Sequence, residues 1–167
     1  MIFPAWSPAD HSPTRRRITR KVLGALAATA VIVASGVVFA PAASAAAYGC
    51  AGSEIDTYPV KTSGGTQYAT IHLYFDSSTD KNCAVTVVTA AGGSGTSETT
   101  MASISECSGT TLSSCVGGAI ITKANAGSYA SYAGPVSVPG GGHCVLVSGS
   151  RTHNGVVAGN QYGPVHC

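Results

Sequence analysis

The chain has 167 residues, of which 44% are hydrophobic and only 10% are charged. Nine Lys and Arg against seven Asp and Glu give a formal net charge of +2, but five of these bases and one acid precede residue 46. The remainder keeps four bases and six acids, so its formal charge is −2 and it lacks the basic patch that a nucleic-acid partner requires. Its length fits one domain with a modest core.

The first 45 residues have the pattern of a secretory signal peptide. A basic block at Thr14–Lys21 precedes a largely apolar, uncharged run at Val22–Ala40, which Pro41 interrupts. Ala43-Ser44-Ala45 then supplies the small residues that signal peptidase accepts. We therefore predict cleavage after Ala45, which leaves a secreted domain at residues 46–167.

An uncleaved membrane anchor is the alternative, because nineteen mostly apolar residues are long enough to cross a bilayer. Pro41 and the A-x-A site favour removal, so we expect no stable membrane insertion after cleavage. The arginines of the basic block are compatible with a twin-arginine export route. Thr19 stands where that signal usually has a more apolar residue, and general secretion stays equally open.

The cysteines all follow the leader, and an even number behind a signal peptide predicts three disulfides in an oxidising compartment. Six cysteines allow fifteen pairings. Cys107 and Cys115 flank a short polar loop that can close on itself. The other four would pair in sequence or cross over, and we favour the sequential pairs. The predicted bridges are thus Cys50–Cys83, Cys107–Cys115 and Cys144–Cys167.

A β-hairpin is the clearest element of the secreted part. In Tyr68–Phe75, Ala69, Ile71, Leu73 and Phe75 alternate with polar and aromatic residues, which is the period of a half-buried strand. Asn82–Thr89 is rich in β-branched residues, and the intervening Asp76–Lys81 contains turn formers. We expect Asp76 and Asp80 to brace this turn through their own backbone.

The rest of the secreted part predicts further short strands separated by glycine-rich segments, and no stretch has a sustained helical period. The pattern indicates one all-β domain, an antiparallel β-sandwich or barrel-like fold stapled by disulfides. Pro135 suggests an edge strand or a strand that begins at this residue. We predict strands at Ile55–Val60, Met101–Glu106 paired with Val116–Lys123, part of Tyr129–Val138, His143–Val147 and one short strand within Val156–Cys167, with loops at Ala90–Thr100, Pro139–Gly142 and Gly149–Asn154.

Several of these segments resemble the spore-associated protein A family, which are small secreted proteins of actinobacteria. Lys81-Asn82-Cys83 and Tyr132–Val136 are the most specific matches, and the resemblance spans nearly all of residues 46–167. The matching segments, in the order of the family, are Tyr48–Ser53, Leu73–Thr86, Gly127–Val138, Gly142–Val145 and His166-Cys167.

The resemblance implies export and association with the spore or cell surface, and it brings no catalytic residues. The family pattern has four cysteines, which match Cys50, Cys83, Cys144 and Cys167 here. Cys107 and Cys115 are an added pair, which suits their pairing with each other. The family often follows its third cysteine with an acidic residue, a Trp and glycines. Val145–Gly149 replaces them, so the role of that aromatic residue does not carry over.

Catalytic and metal-binding motifs are not evident. Gly92–Thr96 lacks the final glycine of a nucleophile elbow, and no H-E-x-x-H or phosphate-binding loop occurs. Glu54 with Asp56 and Asp76 with Asp80 are carboxylate pairs of the kind that a glycosidase would need, although a structural role is favoured. His143-Cys144 and His166-Cys167 lack the spacing of zinc ligands, and bridged cysteines are not ligands. We expect no enzyme, metal or cofactor.

Aromatic side chains give the sharpest indication of binding. Tyr68, His72 and Tyr74 alternate on the outward face of the predicted hairpin, and Tyr129 and Tyr132 lie in a second segment. Tyrosines stack on flat partners and add hydrogen bonds, although packing under loops is the favoured interpretation. We expect a secreted, non-catalytic protein whose partner is a component of the cell wall or spore surface. The alternatives are a secreted carbohydrate-binding module and, third, a small extracellular hydrolase.

Overall fold

The computed structural model describes residues 47–167, which form two antiparallel sheets packed face to face. The predicted all-β antiparallel fold is therefore confirmed, and of the two predicted forms the structure has the sandwich. The signal peptide and its cleavage after Ala45 lie outside the described residues. The strands in the described part are β1 (Ser53–Lys61), β2 (Gln67–Asp76), β3 (Lys81–Val88), β4 (Glu98–Cys107), β5 (Ala119–Tyr129), β6 (Tyr132–Pro139), β7 (Val145–His153) and β8 (Val156–Val165).

The first sheet has the strand order β1-β2-β3-β6, and the second has the order β5-β4-β7-β8. Every pair of neighbours is antiparallel, as the predicted hairpin and the predicted pairing of β4 with β5 require. The prolines within strands lie in β1, β6 and β8, which are edge strands, because a proline has no N–H for an inner ladder. Pro135 therefore lies on an edge strand, which is one of the two predicted positions, and β6 begins before it, at Tyr132.

The core lies between the sheets and follows the alternation in the sequence. Ala69, Ile71 and Leu73 of β2 are fully buried, and they belong to the same cluster as Ile104 of β4 and Val147 of β7. Burying a side chain of this size stabilises the fold by about 1.5–3 kcal/mol. Phe75, the last residue of the predicted inward series, is only half-buried because it lies at the open end of the sandwich.

Asp76 holds the turn of the β2–β3 hairpin, as predicted. Its Oδ1 accepts hydrogen bonds from the backbone N–H of Ser78 at 2.9 Å and from the Ser78 hydroxyl at 2.6 Å. Its Oδ2 accepts from the Thr79 hydroxyl at 2.7 Å. These donors favour the charged carboxylate and lower the pKa of Asp76 below its usual range. Asp80 has a φ of 51° and accepts the backbone N–H of Gly141 at 3.0 Å.

Three disulfides are formed, and they join Cys50 to Cys83, Cys107 to Cys115 and Cys144 to Cys167. The favoured sequential pairing is thus confirmed. The loop closed by Cys107 and Cys115 contains a short helix, α1 (Leu112–Cys115), which the sequence did not predict. Thr111 begins this helix because its side chain accepts the N–H of Ser114.

Three predicted boundaries are wrong in the second sheet. The predicted loop at Gly149–Asn154 is mostly strand, because β7 continues to His153, and β8 is a full-length strand rather than a short one. The predicted strand at Val116–Lys123 begins only at Ala119. Within residues 47–167, no helix has the length and apolar character needed to span a bilayer.

Candidate functional site

The structure brings together three of the five residues predicted for a binding face. His72, Tyr74 and Tyr132 lie on the outer face of the first sheet. Tyr68 instead packs against the core and makes an edge contact with His153 at 5.8 Å between ring centroids. Tyr129 also packs against the core, at the end of β5. The predicted five-residue face is therefore wrong as a single surface, because Tyr68 and Tyr129 pack against the core.

Tyr48 completes the outer group, and its position depends on a turn at the start of the described chain. Tyr48 has a φ of 55° and precedes Gly49, between two bridge residues, Ala47 and Cys50. The Cys50–Cys83 disulfide ties this turn to β3. The ring of Tyr48 thereby lies 5.3 Å from that of Tyr132, at an interplanar angle of 62°, and 5.9 Å from that of His72.

Glu54 supplies a carboxylate beside these rings. Its Oε2 accepts a hydrogen bond from the Tyr74 hydroxyl at 3.0 Å and lies 2.7 Å from Nδ1 of His72. An ionised carboxylate only accepts, so Nδ1 of His72 carries the proton in this contact. Glu54 Oε1 makes no hydrogen bond within residues 47–167. We define the aromatic patch as Tyr48, Glu54, His72, Tyr74 and Tyr132.

The members of the aromatic patch differ in exposure. Tyr48 and Tyr132 are 40% and 37% exposed, and their hydroxyls make no hydrogen bond within the described chain. Tyr74 is only 4% exposed, because Cys50, Cys83 and Val85 pack around it. Burial, with the Glu54 contact as a second cause, raises the pKa of Tyr74 to about 12. The prediction that Tyr74 lies on an exposed face is therefore wrong. It supports the patch from below, whereas Tyr48 and Tyr132 form its surface.

The chemistry of the aromatic patch suits an uncharged, hydroxyl-bearing partner. Two exposed phenol rings offer flat apolar faces and two free hydroxyl groups. The unpaired Oε1 of Glu54 accepts hydrogen bonds, and Nε2 of His72 is unpaired within the described residues. Rings that stack on a C–H face, beside groups that bond hydroxyls, are the combination that a sugar ring requires.

A second group of polar side chains surrounds the fully buried Arg151. Its guanidinium donates to the Thr100 hydroxyl at 2.8 Å and contacts Oε2 of Glu98 at 3.4 Å. It also donates to five backbone carbonyls, those of Gly92, Gly93, Thr96, Glu98 and Tyr129, at 2.8–3.2 Å. Arg151 therefore joins the segment after β3 to the ends of β4, β5 and β7.

His153 and Glu98 extend this group to the surface. Nδ1 of His153 lies 2.6 Å from Oε2 of Glu98, and this contact is the main cause that lowers the pKa of Glu98. Nε2 of His153 lies 3.2 Å from the side-chain amide of Asn154. A carboxylate at Nδ1 orients a histidine as in hydrolase triads. Within residues 47–167, however, no hydroxyl group contacts Nε2 of either His153 or His72.

The remaining candidate residues take structural positions. Glu54 and Asp56 are separated by a bulge in β1 and bind different partners. Asp56 accepts from the Tyr58 hydroxyl at 2.7 Å, which is the main cause that lowers its pKa. His166 lies 3.6 Å from Asp56, and His143 lies 3.8 Å from Glu106. Among the described residues, no group of three potential metal ligands occurs.

No protein-family model, no curated protein and no solved structure matches this chain. The function is therefore argued from the geometry of the described residues and from the sequence resemblance.

Proposed function

We propose that the protein is secreted and attaches, without catalysis, to the cell or spore surface by binding a polysaccharide through the aromatic patch. The observation that carries this proposal is the pair of exposed phenol rings of Tyr48 and Tyr132 beside the Glu54 carboxylate. This geometry supports both the surface-protein interpretation and the carbohydrate-binding alternative, because the bound carbohydrate would be a polysaccharide of that surface.

Export and surface location have separate support. The leader pattern at residues 1–45 and the three disulfides fit an oxidising, extracellular compartment. The resemblance to the spore-associated protein A family points to the same location. N-terminal sequencing of the protein collected from the culture medium tests this part, and Ala46 is the expected first residue.

Co-sedimentation tests the binding part. The oxidised protein is incubated with isolated cell walls and with washed spores of a sporulating actinobacterium, across a salt series. We expect it to pellet even at high salt, because ring stacking and hydroxyl hydrogen bonds are much less screened than contacts between exposed charges. A soluble polysaccharide from the same walls should compete.

Variants distinguish the aromatic patch from non-specific adhesion. Tyr48→Ala with Tyr132→Ala should weaken binding by about tenfold or more, which corresponds to about 1.4 kcal/mol. Ile120→Ala is the matched control, because Ile120 is a large exposed side chain on the second sheet. Equal pelleting of all three proteins would contradict the proposed patch. A protein that stays in the supernatant under all conditions would contradict the attachment itself.

A further inference from the structure

A cleft of about 300 Å³ lies at the end of the sandwich opposite to Arg151. It opens where β2 ends and β3 begins, next to Cys167 and to the loop that joins β6 to β7. We call it the end cleft. The side chains that matter for its chemistry are Ile55, Phe75, Asn82 and His166. Its volume is at the lower end of the range for ligand pockets and fits a single ring.

Asn82 is the unusual residue of the end cleft. It pairs with Phe75 of β2 and Val138 of β6, which places it on the inner face of the first sheet. Only 3% of Asn82 is exposed, yet its side-chain amide makes no hydrogen bond within residues 47–167. Its amide atoms stay within reach of solvent, because among the described residues the Thr86 hydroxyl alone is an enclosed side-chain polar group without a partner. A ligand that enters the end cleft would replace water as the partner of the amide.

The walls of the end cleft are apolar and fixed in place. A bulge in β1 leaves Ile55 unpaired between Glu54 and Asp56, so that Ile55 lines the end cleft while Glu54 lies in the aromatic patch. Gly140 forms the opposite wall. A Cβ there would lie 2.9 Å from the ring of Phe75, so only glycine allows this close approach.

Hydrogen bonds hold that opposite wall. The backbone N–H of Gly140 donates to the carbonyl of Asp80 at 2.7 Å, and that of Gly141 donates to its carboxylate at 3.0 Å. The Cys144–Cys167 disulfide fixes the side of the cleft formed by Cys167. The end cleft is therefore formed in advance of any ligand, which lowers the entropic cost of binding.

The lining side chains include no Asp, Glu, Lys or Arg. His166 is the titratable side chain at the rim, and it faces Asp56 at 3.6 Å. A charged ligand would lose its hydration without gaining a partner of opposite charge on the walls. An uncharged ligand with one hydrogen-bonding group matches both the apolar walls and the amide of Asn82.

We propose that the end cleft binds a small uncharged molecule that consists of one apolar ring and one carboxamide or hydroxyl group, with that polar group paired to the side-chain amide of Asn82. This site is independent of the proposed function, because it lies on the other face of the first sheet and shares no residue with the aromatic patch.

Nuclear magnetic resonance of the ¹⁵N-labelled, oxidised protein tests the proposal with four probes. Benzamide and benzyl alcohol carry a ring and an uncharged polar group, whereas benzoate is charged and toluene lacks a hydrogen-bonding group. We expect benzamide and benzyl alcohol to shift the side-chain NH₂ signals of Asn82 and the backbone signals of Ile55 and Phe75 saturably. Benzoate and toluene should bind at least tenfold more weakly.

Two substitutions on β3 make the test specific. Asn82→Val should weaken benzamide binding at least tenfold without lowering the thermal midpoint, because it removes an amide that has no hydrogen-bond partner within residues 47–167. Thr86→Val is the matched control, since Thr86 is also a buried inner-face residue whose hydroxyl has no partner among the described residues, and it does not line the end cleft. It should leave benzamide binding unchanged.

Three results would overturn the proposal. The first is the absence of saturable shifts at benzamide and benzyl alcohol concentrations up to about 10 mM. A Kd above that concentration corresponds to a binding free energy weaker than about −3 kcal/mol. Solvent water would then be the partner of Asn82. The second is equal binding of benzamide to Asn82→Val. The third is toluene or benzoate binding as tightly as benzamide, since either would show that the amide of Asn82 does not select the ligand.

Discussion

Arg151 shows how one side chain organises a whole end of the sandwich. A buried guanidinium is tolerated only where its N–H groups have partners, and here five carbonyls and a hydroxyl accept from it. The carbonyls belong to segments that would otherwise need strand or helix partners of their own. Arg151 thereby adds side-chain hydrogen bonds to the segment between β3 and β4, which also contains a short 3₁₀-helix at Ala90–Gly92.

Arg151→Met should therefore lower the free energy of unfolding by about 3–5 kcal/mol, because it leaves several buried carbonyls without a donor. Arg151→Lys keeps the charge but not the planar fork, so it should be destabilising by a smaller amount. Urea unfolding at neutral pH measures both. Lys123→Met is the control, because Lys123 is exposed and an exposed substitution should change stability by less than about 0.5 kcal/mol. A change within about 1 kcal/mol for Arg151→Met would contradict the role assigned to Arg151.

Tyr74 leads to a prediction about alkaline pH. Its pKa is raised from 10.0 to about 12 in the folded protein, first by burial and then by the Glu54 contact. The unfolded phenol therefore ionises first as the pH rises. The resulting stabilisation is full below pH 10 and is lost as the pH approaches 12.

Tyr74→Phe should lower stability at neutral pH by about 1 kcal/mol, through loss of one hydrogen bond to a partly exposed carboxylate. As the pH rises from 10 to about 12, which are the pKa values of Tyr74 in the unfolded and folded protein, the stability of the native protein should decline towards that of the variant. Urea unfolding over that pH range gives the difference. Tyr48→Phe is the control, because the hydroxyl of Tyr48 has no partner within the described chain. A difference that stays constant with pH would be incompatible with the raised pKa.

At the scale of elements, the three disulfides close loops of different length. The sequence separations are 33 for Cys50–Cys83, 23 for Cys144–Cys167 and 8 for Cys107–Cys115. Since a bridge acts largely by restricting the unfolded chain, the longer loops should stabilise more. The loop-entropy relation gives about 4 kcal/mol for Cys50–Cys83 and about 2.5 kcal/mol for Cys107–Cys115.

Paired Cys→Ala substitutions should follow this order, with Cys50–Cys83 costing about 1 kcal/mol more than Cys107–Cys115 and Cys144–Cys167 lying between them. Thermal and urea unfolding of the three double variants measure the ranking. Loss of Cys50–Cys83 should also release Tyr48 from the aromatic patch, whereas loss of Cys107–Cys115 should leave surface binding unchanged. The reverse order of stability would show that local packing, rather than loop length, decides the contribution of each bridge.

The strands that the sequence predicts well are those with a clear alternation. β2 alternates between apolar and other residues, and its inward residues are the predicted ones. β7 was predicted only in its apolar first half, because Gly149, Ser150 and Thr152 have the composition of a loop. Gly149 is in fact needed in a strand, since a Cβ there would lie 2.7 Å from Ile71 and Thr86 across the core. Such a close approach of two sheets leaves no local signal.

Only part of the aromatic patch was predictable, because some of its contacts also leave no local pattern in the sequence. Alternation along β2 places His72 and Tyr74 on the outer face, but it does not show what covers that face. Tyr48 and Glu54 lie in a glycine-rich segment without a clear pattern, and the long loop closed by Cys50–Cys83 brings Tyr48 to the sheet. The same segment buries Tyr74. Contacts that depend on a distant crosslink cannot be derived from local periodicity.

At the scale of the whole molecule, the first sheet carries two different surfaces. Its outer face bears the aromatic patch, and its inner face contributes Phe75 and Asn82 to the end cleft. The bulge in β1 connects the two, because it directs Glu54 to one surface and leaves Ile55 at the other. The two surfaces share no side chain, and sites without shared partners usually behave additively.

The two proposed sites should therefore be separable by mutation. Asn82→Val should lose the benzamide shifts and still pellet with cell walls and spores. Tyr48→Ala with Tyr132→Ala should weaken surface binding about tenfold or more and keep benzamide affinity within about twofold, since the sites are expected to be coupled by less than about 0.5 kcal/mol. Measuring both properties on both variants completes the comparison. If either variant loses both properties while it retains its thermal midpoint, the sites are coupled through the bulge at Ile55. Deletion of Ile55 should then abolish both properties together.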